Sequence, residues 1–409
     1  MGQESRPEQL SIGDSHSGRH VDSDLNGAIP SLRHCQQFAI RQRWGWLDNA
    51  LETRAMSTVQ KFRTHFIEKR QAPRNLEPQD SPLFAEAMCK RFPACQVQHI
   101  READVFGRSP IRLADGQFLP ESFVNQSHFD LWKKERGHWR TGLERFLHYH
   151  TQLDTPGVWI TDNLSCDVFH WFGEALPRLE LALQELRADE VTLLLPRKFS
   201  RHDYFLESLK AYGLRDVRVL GRFECMRCTD LFFPNHIAGS GDYNSGLMQS
   251  MRSRFRKHIG ASGLAAPSSR LYISRRLAGR GRILNEDEIL GVLADHGFKI
   301  LLTEETPWEQ QVKLAAQAEV LLSNHGAGLT NMLAMAAGTR VVEIREREDT
   351  DKNCFFALAS TLGVDYYYLL ADSHDPTVGG DLADLVVDPD RLNEALHLAL
   401  KPASMSRAA

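Results

Sequence analysis

From residue 270 to residue 400, short apolar runs alternate with helical patterns, and only a few residues separate most of them. The run of segments is RLYISR (270–275), NEDEILGVLADHG (285–297), FKILLT (298–303), PWEQQVKLAAQA (307–318), EVLLSN (319–324), LTNMLAMAA (329–337), RVVEI (340–344), FFALASTLG (355–363), DYYYLL (365–370) and PDRLNEALHLAL (389–400). Apolar runs without polar alternation read as strands covered on both faces, as parallel sheets require. The helical patterns between them supply the crossovers that parallel pairing needs. The expected fold is therefore a doubly wound α/β domain.

A second, looser series precedes it. VWIT (158–161), VTLLLP (191–196) and VRVL (217–220) read as strands. FHWFGEALPRLELALQEL (169–186) reads as a helix that Pro177 kinks or restarts, and YFLESLKAYGL as one that ends at Gly213. The basic stretch MRSRFRKHIGASGLAAPSS turns Gly-, Ala- and Ser-rich at its end, so residues 241–268 are the expected linker. Residues 1–32 hold few large apolar side chains and are expected to form a disordered tail. The expected divisions are this tail, a first α/β domain over 33–245, a second over 264–371, and a closing segment with a helix over 372–409. Residues 33–150 show scattered aromatics without a clean period and read as mixed α and β.

Composition excludes several classes. The formal net charge of -4 lacks the basic excess of a nucleic-acid binder. No apolar run reaches the roughly 18 residues that span a bilayer, and the first residues lack a signal-peptide pattern. The expected location is cytoplasmic, or peripheral at the inner membrane face. Seven cysteines scattered over 409 residues do not read as a disulfide framework. Cys225 and Cys228 form a lone CMRC; His236 could join them on a metal, but free thiols at a strand edge is the plainer reading.

Three segments could carry chemistry. In EVLLSNHGAGLTNM, a strand ends at Ser323-Asn324, the turn His325-Gly326-Ala327-Gly328 follows, and a helix begins near Leu329. Glycines let backbone N–H groups approach an anion, and the helix end adds its positive dipole. Such a turn also serves as a plain strand-to-helix connection. In LYISRRLAGRGRILNEDE, a strand ends in Ser274-Arg275-Arg276 and the following loop carries Arg280 and Arg282; four arginines within eight residues suit a diphosphate. The same loop could be a solvated turn, with Asn285 and Glu288 capping the next helix. In DNLSCDVFHWFGEALPRL, His170 and Glu174 share a helix face, with Asp167 one turn earlier. A His–carboxylate pair is a general-base arrangement, although a histidine beside Trp171 and Phe172 is also an ordinary packed residue.

Together these segments resemble glycosyltransferase family 61, the capsular-polysaccharide-type family that includes plant xylosyltransferases and eukaryotic protein O-linked GlcNAc transferases. The FHW...LPRL block, YISRR...R.ILNEDE and EQ...A..VLLSNHGAGLTNML...G..VVEI carry the resemblance, strongest from 271 to 345. Ala334 stands where members often have a bulky aromatic. The resemblance implies a GT-B arrangement: two Rossmann-like domains face a cleft, the C-terminal one holds the nucleotide-sugar, and the reaction is inverting and metal-independent. No cofactor is implied beyond that donor, with a UDP-sugar the first choice, and the acceptor would be a glycan or lipid-linked saccharide. On that basis Ser274, Arg275, Arg276, Arg280, Arg282, Asn324, His325, Gly326, Ala327, Gly328 and Asn331 hold the donor. Glu343 accepts the ribose hydroxyls or makes a core contact. His170 is the expected base, with Glu174 or Asp167 as alternates.

Rival readings remain. Asp-X-Asp triplets at 22–24, 349–351 and 388–390 could signal a metal-dependent transferase. HGAG echoes an esterase oxyanion loop, yet the chain has no Gly-X-Ser-X-Gly elbow. A non-catalytic carbohydrate- or nucleotide-sugar-binding protein of the same fold is the third.

Overall fold

A computed structural model describes residues 59–61, 66–107, 110–135, 148–375, 377–378 and 383–401. The expected tail over 1–32, and the acid triplet at 22–24, lie outside the described residues.

The N-terminal half supplies β1 (Val59–Lys61), β2 (Phe66–Lys69), β3 (Cys89–Phe92), β4 (Gln96–Phe106), β5 (Ile111–Arg112), β6 (Tyr149–Leu153) and β7 (Gly157–Val158). Next come a helical segment over Val168–Ala182, whose last part is α1 (Leu176–Ala182), then β8 (Thr192–Leu195), α2 (Asp203–Leu209), β9 (Asp216–Val219) and β10 (Glu224–Pro234). Eight of the ten strands form one sheet, ordered β1-β4-β10-β7-β8-β9, with β5 on β4 and β6 on β10. Strands β6 to β10 pair in parallel, whereas β4 runs antiparallel to β1, β5 and β10. The first half is thus a mixed α/β sheet with a parallel side. The long β4–β10 pair escaped sequence reading because each strand mixes buried and exposed positions without strict alternation.

The C-terminal half follows the alternation closely: β11 (Ser269–Ser274), β12 (Phe298–Leu302), β13 (Ala318–Asn324), β14 (Arg340–Glu346), β15 (Asp365–Ser373) and β16 (Leu385–Val386). Their order is β12-β11-β13-β14-β15-β16, parallel throughout except for the short β16. The chain moves outward from β11 to β12, then crosses back to β13 and continues the other way. This is the flavodoxin-like order, and its reversal falls between β11 and β13.

The stretch expected to be a linker is mostly helix. Asn244 caps α3 (Ser245–His258) through its side chain, and the arginines of this helix bind both halves. Arg254 pairs with Glu180 at 2.8 Å, while Arg252 and Arg256 donate to the carbonyls of Leu362 and Ala334 at 2.5 and 2.7 Å. These three arginines are therefore structural donors, and Leu247, Met248, Met251 and Phe255 are buried on the same helix. Phe172 stacks on Trp308 at 5.8 Å, so one aromatic core runs under both sheets. Among the described residues no helix is long and apolar enough to cross a membrane.

Candidate functional site

The carboxyl ends of β11 and β13 lie side by side where the strand order reverses, the place where open α/β sheets bind ligands. Two of the three segments singled out in the sequence meet there. The carbonyl of Gly281 ties them: it accepts from Arg275 Nε at 2.8 Å and from Asn324 Nδ2 at 2.6 Å. Arg275 Nη2 also donates to the Arg280 carbonyl at 3.1 Å, so its guanidinium folds back under its own loop.

Gly326 is required for space. A Cβ there would sit 1.9 Å from Arg275 Nη1, while its φ of 162° is ordinary extended backbone. At Gly328 a Cβ would meet Ile273 Cγ2 at 2.9 Å. The segment after the turn, Ala327–Ala334, winds as a 3-10 helix instead of the expected α-helix. Thr330 Oγ1 donating to the Ala327 carbonyl and Asn331 Nδ2 donating to the Gly328 carbonyl reinforce the tighter winding.

The arginine pool divides. Ser274 is fully buried and its Oγ accepts from the backbone N–H of Arg276, while Arg276 Nε pairs with Glu286 at 3.0 Å. Arg282 pairs with Asp384 at 2.7 Å, and Arg280 stands exposed in the loop. Asn285 does not cap the next helix by side chain to backbone; it bonds the Glu288 side chain and both backbone groups of Val387. Asn324 is 1% exposed, and its Oδ1 has no hydrogen-bond partner among the described residues.

His325 and Glu343 form one unit. Glu343 is fully buried; its Oε1 accepts from His325 Nδ1 and its Oε2 from the Tyr366 hydroxyl, both at 2.5 Å. Burial disfavours the charged imidazole, but the Glu343 carboxylate behind it pushes His325 up to about 10. Both oxygens of Glu343 thus make contacts inside the protein, with His325 and with Tyr366.

His170 and Glu174 lie on the other half, 3.1 Å apart. Pro177 has no N–H for the carbonyl of Gly173, and the turn Trp171–Ala175 widens into a π-helix whose Leu176 N–H reaches back to Trp171. Gly173 leaves room there for Tyr243, whose ring carbon Cε1 would lie 3.2 Å from an added Cβ. Glu174 also accepts from Ser240 Oγ at 2.5 Å. Burial lowers the affinity of His170 for a proton, but Glu174, and after it Asp167 and Asp162, raise it above the ordinary value. Asp167 spends Oδ1 on the backbone N–H of Phe169 at 2.9 Å, as a helix cap. The rings of Phe169 and Phe355 stand between the two histidines, with centroids 5.1 Å from His170 and 4.9 Å from His325. The halves touch again where Gly241 packs on Cys354, whose Sγ is 4.0 Å from His325 Nε2.

A pocket beside Glu174 is lined by Gly173, His236, Asp242 and Tyr243. Sequence reading missed two of its parts. Asp162 is buried and accepts from His236 Nε2 at 2.8 Å, which gives His236 a partner other than the CMRC pair. The Tyr243 hydroxyl is buried without a partner among the described residues. Neither position carries a local signal, since the partners are 74 residues apart in one case and the other has none among the described residues. Cys225 and Cys228 sit inside β10 with neighbours on both sides, and burial pushes their thiols up to about 11 and about 12.

The two acid triplets among the described residues serve local structure. Asp349 Oδ1 accepts the backbone N–H groups of Asp351 and Lys352, and Asp388 Oδ1 caps α7 (Pro389–Leu400), which follows α4 (Glu286–Asp295), α5 (Trp308–Ala316) and α6 (Cys354–Leu362).

Known proteins share this region. The family model for Glycosyltransferase 61 matches residues 168–342. EGF domain-specific O-linked N-acetylglucosamine transferase from Drosophila melanogaster is 29% identical over 196 residues, covering 43% of this chain and 37% of the relative. The proteins of the same name from Mus musculus and Gallus gallus are 26% and 24% identical, each over 43% of this chain, and 36% and 38% of their own lengths are covered. The chain thus spans well under half the length of these curated relatives. The matched span begins at the turn that carries His170 and ends one residue before Glu343, so it takes in Ser274, the arginine loop and the HGAG turn. Residues 168–342 match the Glycosyltransferase 61 family model, and the chain is similar to that family across this span.

Proposed function

We propose that the chain is a glycosyltransferase that moves a sugar from a nucleotide-sugar to a hydroxyl of a glycan or lipid-linked saccharide. The juxtaposition of the β11 and β13 ends at the switch point carries this reading, because both anion-binding loops open there and both belong to the matched region. The backbone of 325–328, Asn324 with its unpartnered Oδ1, and Arg280 and Arg276 are the groups assigned to the donor. Arg275 shapes the loop from beneath.

The two sheets act as the halves of a GT-B enzyme, donor on the C-terminal half and acceptor across a cleft beside Glu174. The reaction is an inverting displacement: the His170–Glu174 pair takes the acceptor proton as its oxygen attacks the anomeric carbon, and the nucleoside diphosphate leaves. No metal is assigned to it, and the Asp349 and Asp388 carboxylates are already engaged in their own turns. The protein works in the cytoplasm, or peripherally at the inner membrane face. UDP-N-acetylglucosamine is the first donor to test, given the activity named for the relatives.

The test is a screen of UDP-, GDP- and CMP-sugars for nucleotide release, with and without EDTA, with an EGF domain and simple glycosides as acceptors. Turnover that survives EDTA supports the reading. Turnover abolished by EDTA and restored by metal returns the Asp-X-Asp alternative, and neither binding nor release with any donor favours a non-catalytic protein.

A further inference from the structure

The buried path His325–Glu343–Tyr366 has a consequence for the donor site. A buried ion pair is a poor stabiliser, and apolar residues of the same volume often serve as well or better. This one sits at the end of β13, beside the switch point, with the carboxylate 0% exposed and the imidazole ring 12% exposed. The geometry also fixes which way the histidine faces. Nδ1–H points to Glu343, so Nε2 is the other ring nitrogen, 4.0 Å from Cys354 Sγ.

The protonation state decides what Nε2 can do. A neutral ring that donates from Nδ1 has a bare lone pair at Nε2, which repels phosphate oxygens. A charged ring has N–H on both sides, and a charge-assisted Nε2–H is a strong phosphate donor. Glu343 lies directly behind the ring, and Tyr366 donates to the other oxygen of that carboxylate. The remaining neighbours are Cys354 and Phe355 from α6, Arg345 beyond Glu343 on β14, and Arg275 against the adjacent Gly326. Glu343 is the only carboxylate among these groups, and it contacts the ring.

We propose that Glu343 and Tyr366 are positioning residues that hold His325 as an imidazolium, so that its Nε2–H is a standing donor to the diphosphate of the nucleotide-sugar. This rests on the donor site proposed above and deepens it. The device suits that loop because two of its arginines, Arg276 and Arg282, already have carboxylate partners, and Arg275 is folded onto carbonyls. Burial alone would make the histidine neutral; the carboxylate reverses that, and the ring stays charged through neutral pH.

Two measurements test it. Nitrogen NMR of labelled histidine, with His325→Gln to assign the signal, reads the ring directly at pH 8 without any ligand. The native protein should show two protonated nitrogens, and Glu343→Gln should show one. Calorimetry with UDP-N-acetylglucosamine, whose diphosphate diester keeps its charge across the range, should give nearly constant native affinity from pH 6.5 to 9. Glu343→Gln should bind about 10- to 100-fold more weakly at pH 8, the loss of one charge-assisted hydrogen bond, and recover toward lower pH. Tyr366→Phe, which keeps the carboxylate, should move both readouts the same way by less, and it serves if Glu343→Gln does not fold. A neutral ring at pH 8 in the native protein overturns the inference, as does native affinity and pH dependence in Glu343→Gln. A charged ring in a protein that binds no nucleotide-sugar overturns the donor reading instead, so the two failures are distinct.

Discussion

Replacing Gly326 by alanine isolates one contact. The backbone there is extended, so alanine introduces no dihedral strain, and the whole effect is one methyl group. That methyl would lie 1.9 Å from Arg275 Nη1 and 2.7 Å from Cζ. Non-bonded heavy atoms settle near 3.5 Å or beyond, so the guanidinium must retreat by about 1.5 Å. Its bonds to the Gly281 and Arg280 carbonyls are 2.8 and 3.1 Å long and do not survive such a shift. Hydrogen bonds from a charged donor contribute about 1.5–3 kcal/mol each, and partial exposure of this one lowers the pair to about 2–3 kcal/mol in total. At about 2–4 °C per kcal/mol, a loss of that size lowers the melting temperature by about 4–12 °C. Gly281 is also the carbonyl that holds Asn324, so donor affinity should fall with it. Thermal melts and nucleotide-sugar calorimetry measure the two effects. The cycle with Arg275→Ala separates the cause: with the guanidinium gone, Gly326→Ala should cost little more. An unchanged melt in the single variant, or a full extra loss in the double, refutes the reasoning.

Two further outcomes follow from the other half. His170→Ala should cut turnover by about 10² to 10⁴, the usual loss of a general base, with donor affinity retained. Because Glu174 raises the proton affinity of His170, the rising limb of the pH–rate profile should lie above the ordinary histidine value of 6.5, and Glu174→Gln should move it down. A limb at or below 6.5 in the native enzyme places the base elsewhere. Tyr243→Phe removes a buried hydroxyl that has no partner among the described residues, and a buried unpaired polar group costs about 1–3 kcal/mol. That variant should melt at or above the native temperature; a clear drop would show that the hydroxyl is bonded in solution.

The C-terminal half was legible because its central strands β11, β13, β14 and β15 are apolar runs that are mostly buried, and the helices α4, α5 and α6 between strands keep their own period. Its strand order was not, since nothing in RLYISR or EVLLSN says which neighbour each will pair with. The site followed the same division. The HGAG turn and the arginine loop were visible as local composition, but not the division of labour among the arginines. That division depends on Glu286 and on Asp384, which lies about one hundred residues from its partner Arg282. Glu343 was legible as a polar residue in a buried strand, yet its partner Tyr366 sits one strand further on. In the N-terminal half, α3 was mistaken for a linker because its basic residues resemble a solvated stretch. Its arginines Arg252, Arg254 and Arg256 are half-buried and bonded to carbonyls and Glu180, an arrangement that only the packed state reveals.

Calorimetric titration of UDP into the native protein and into the Arg275→Ala, Arg276→Ala double variant tests whether the ends of β11 and β13 bind a nucleoside diphosphate. Saturable, stoichiometric binding to the native protein and none to the variant is the expected result, with the variant's fold checked by circular dichroism. Equal UDP affinity in the two proteins would contradict it.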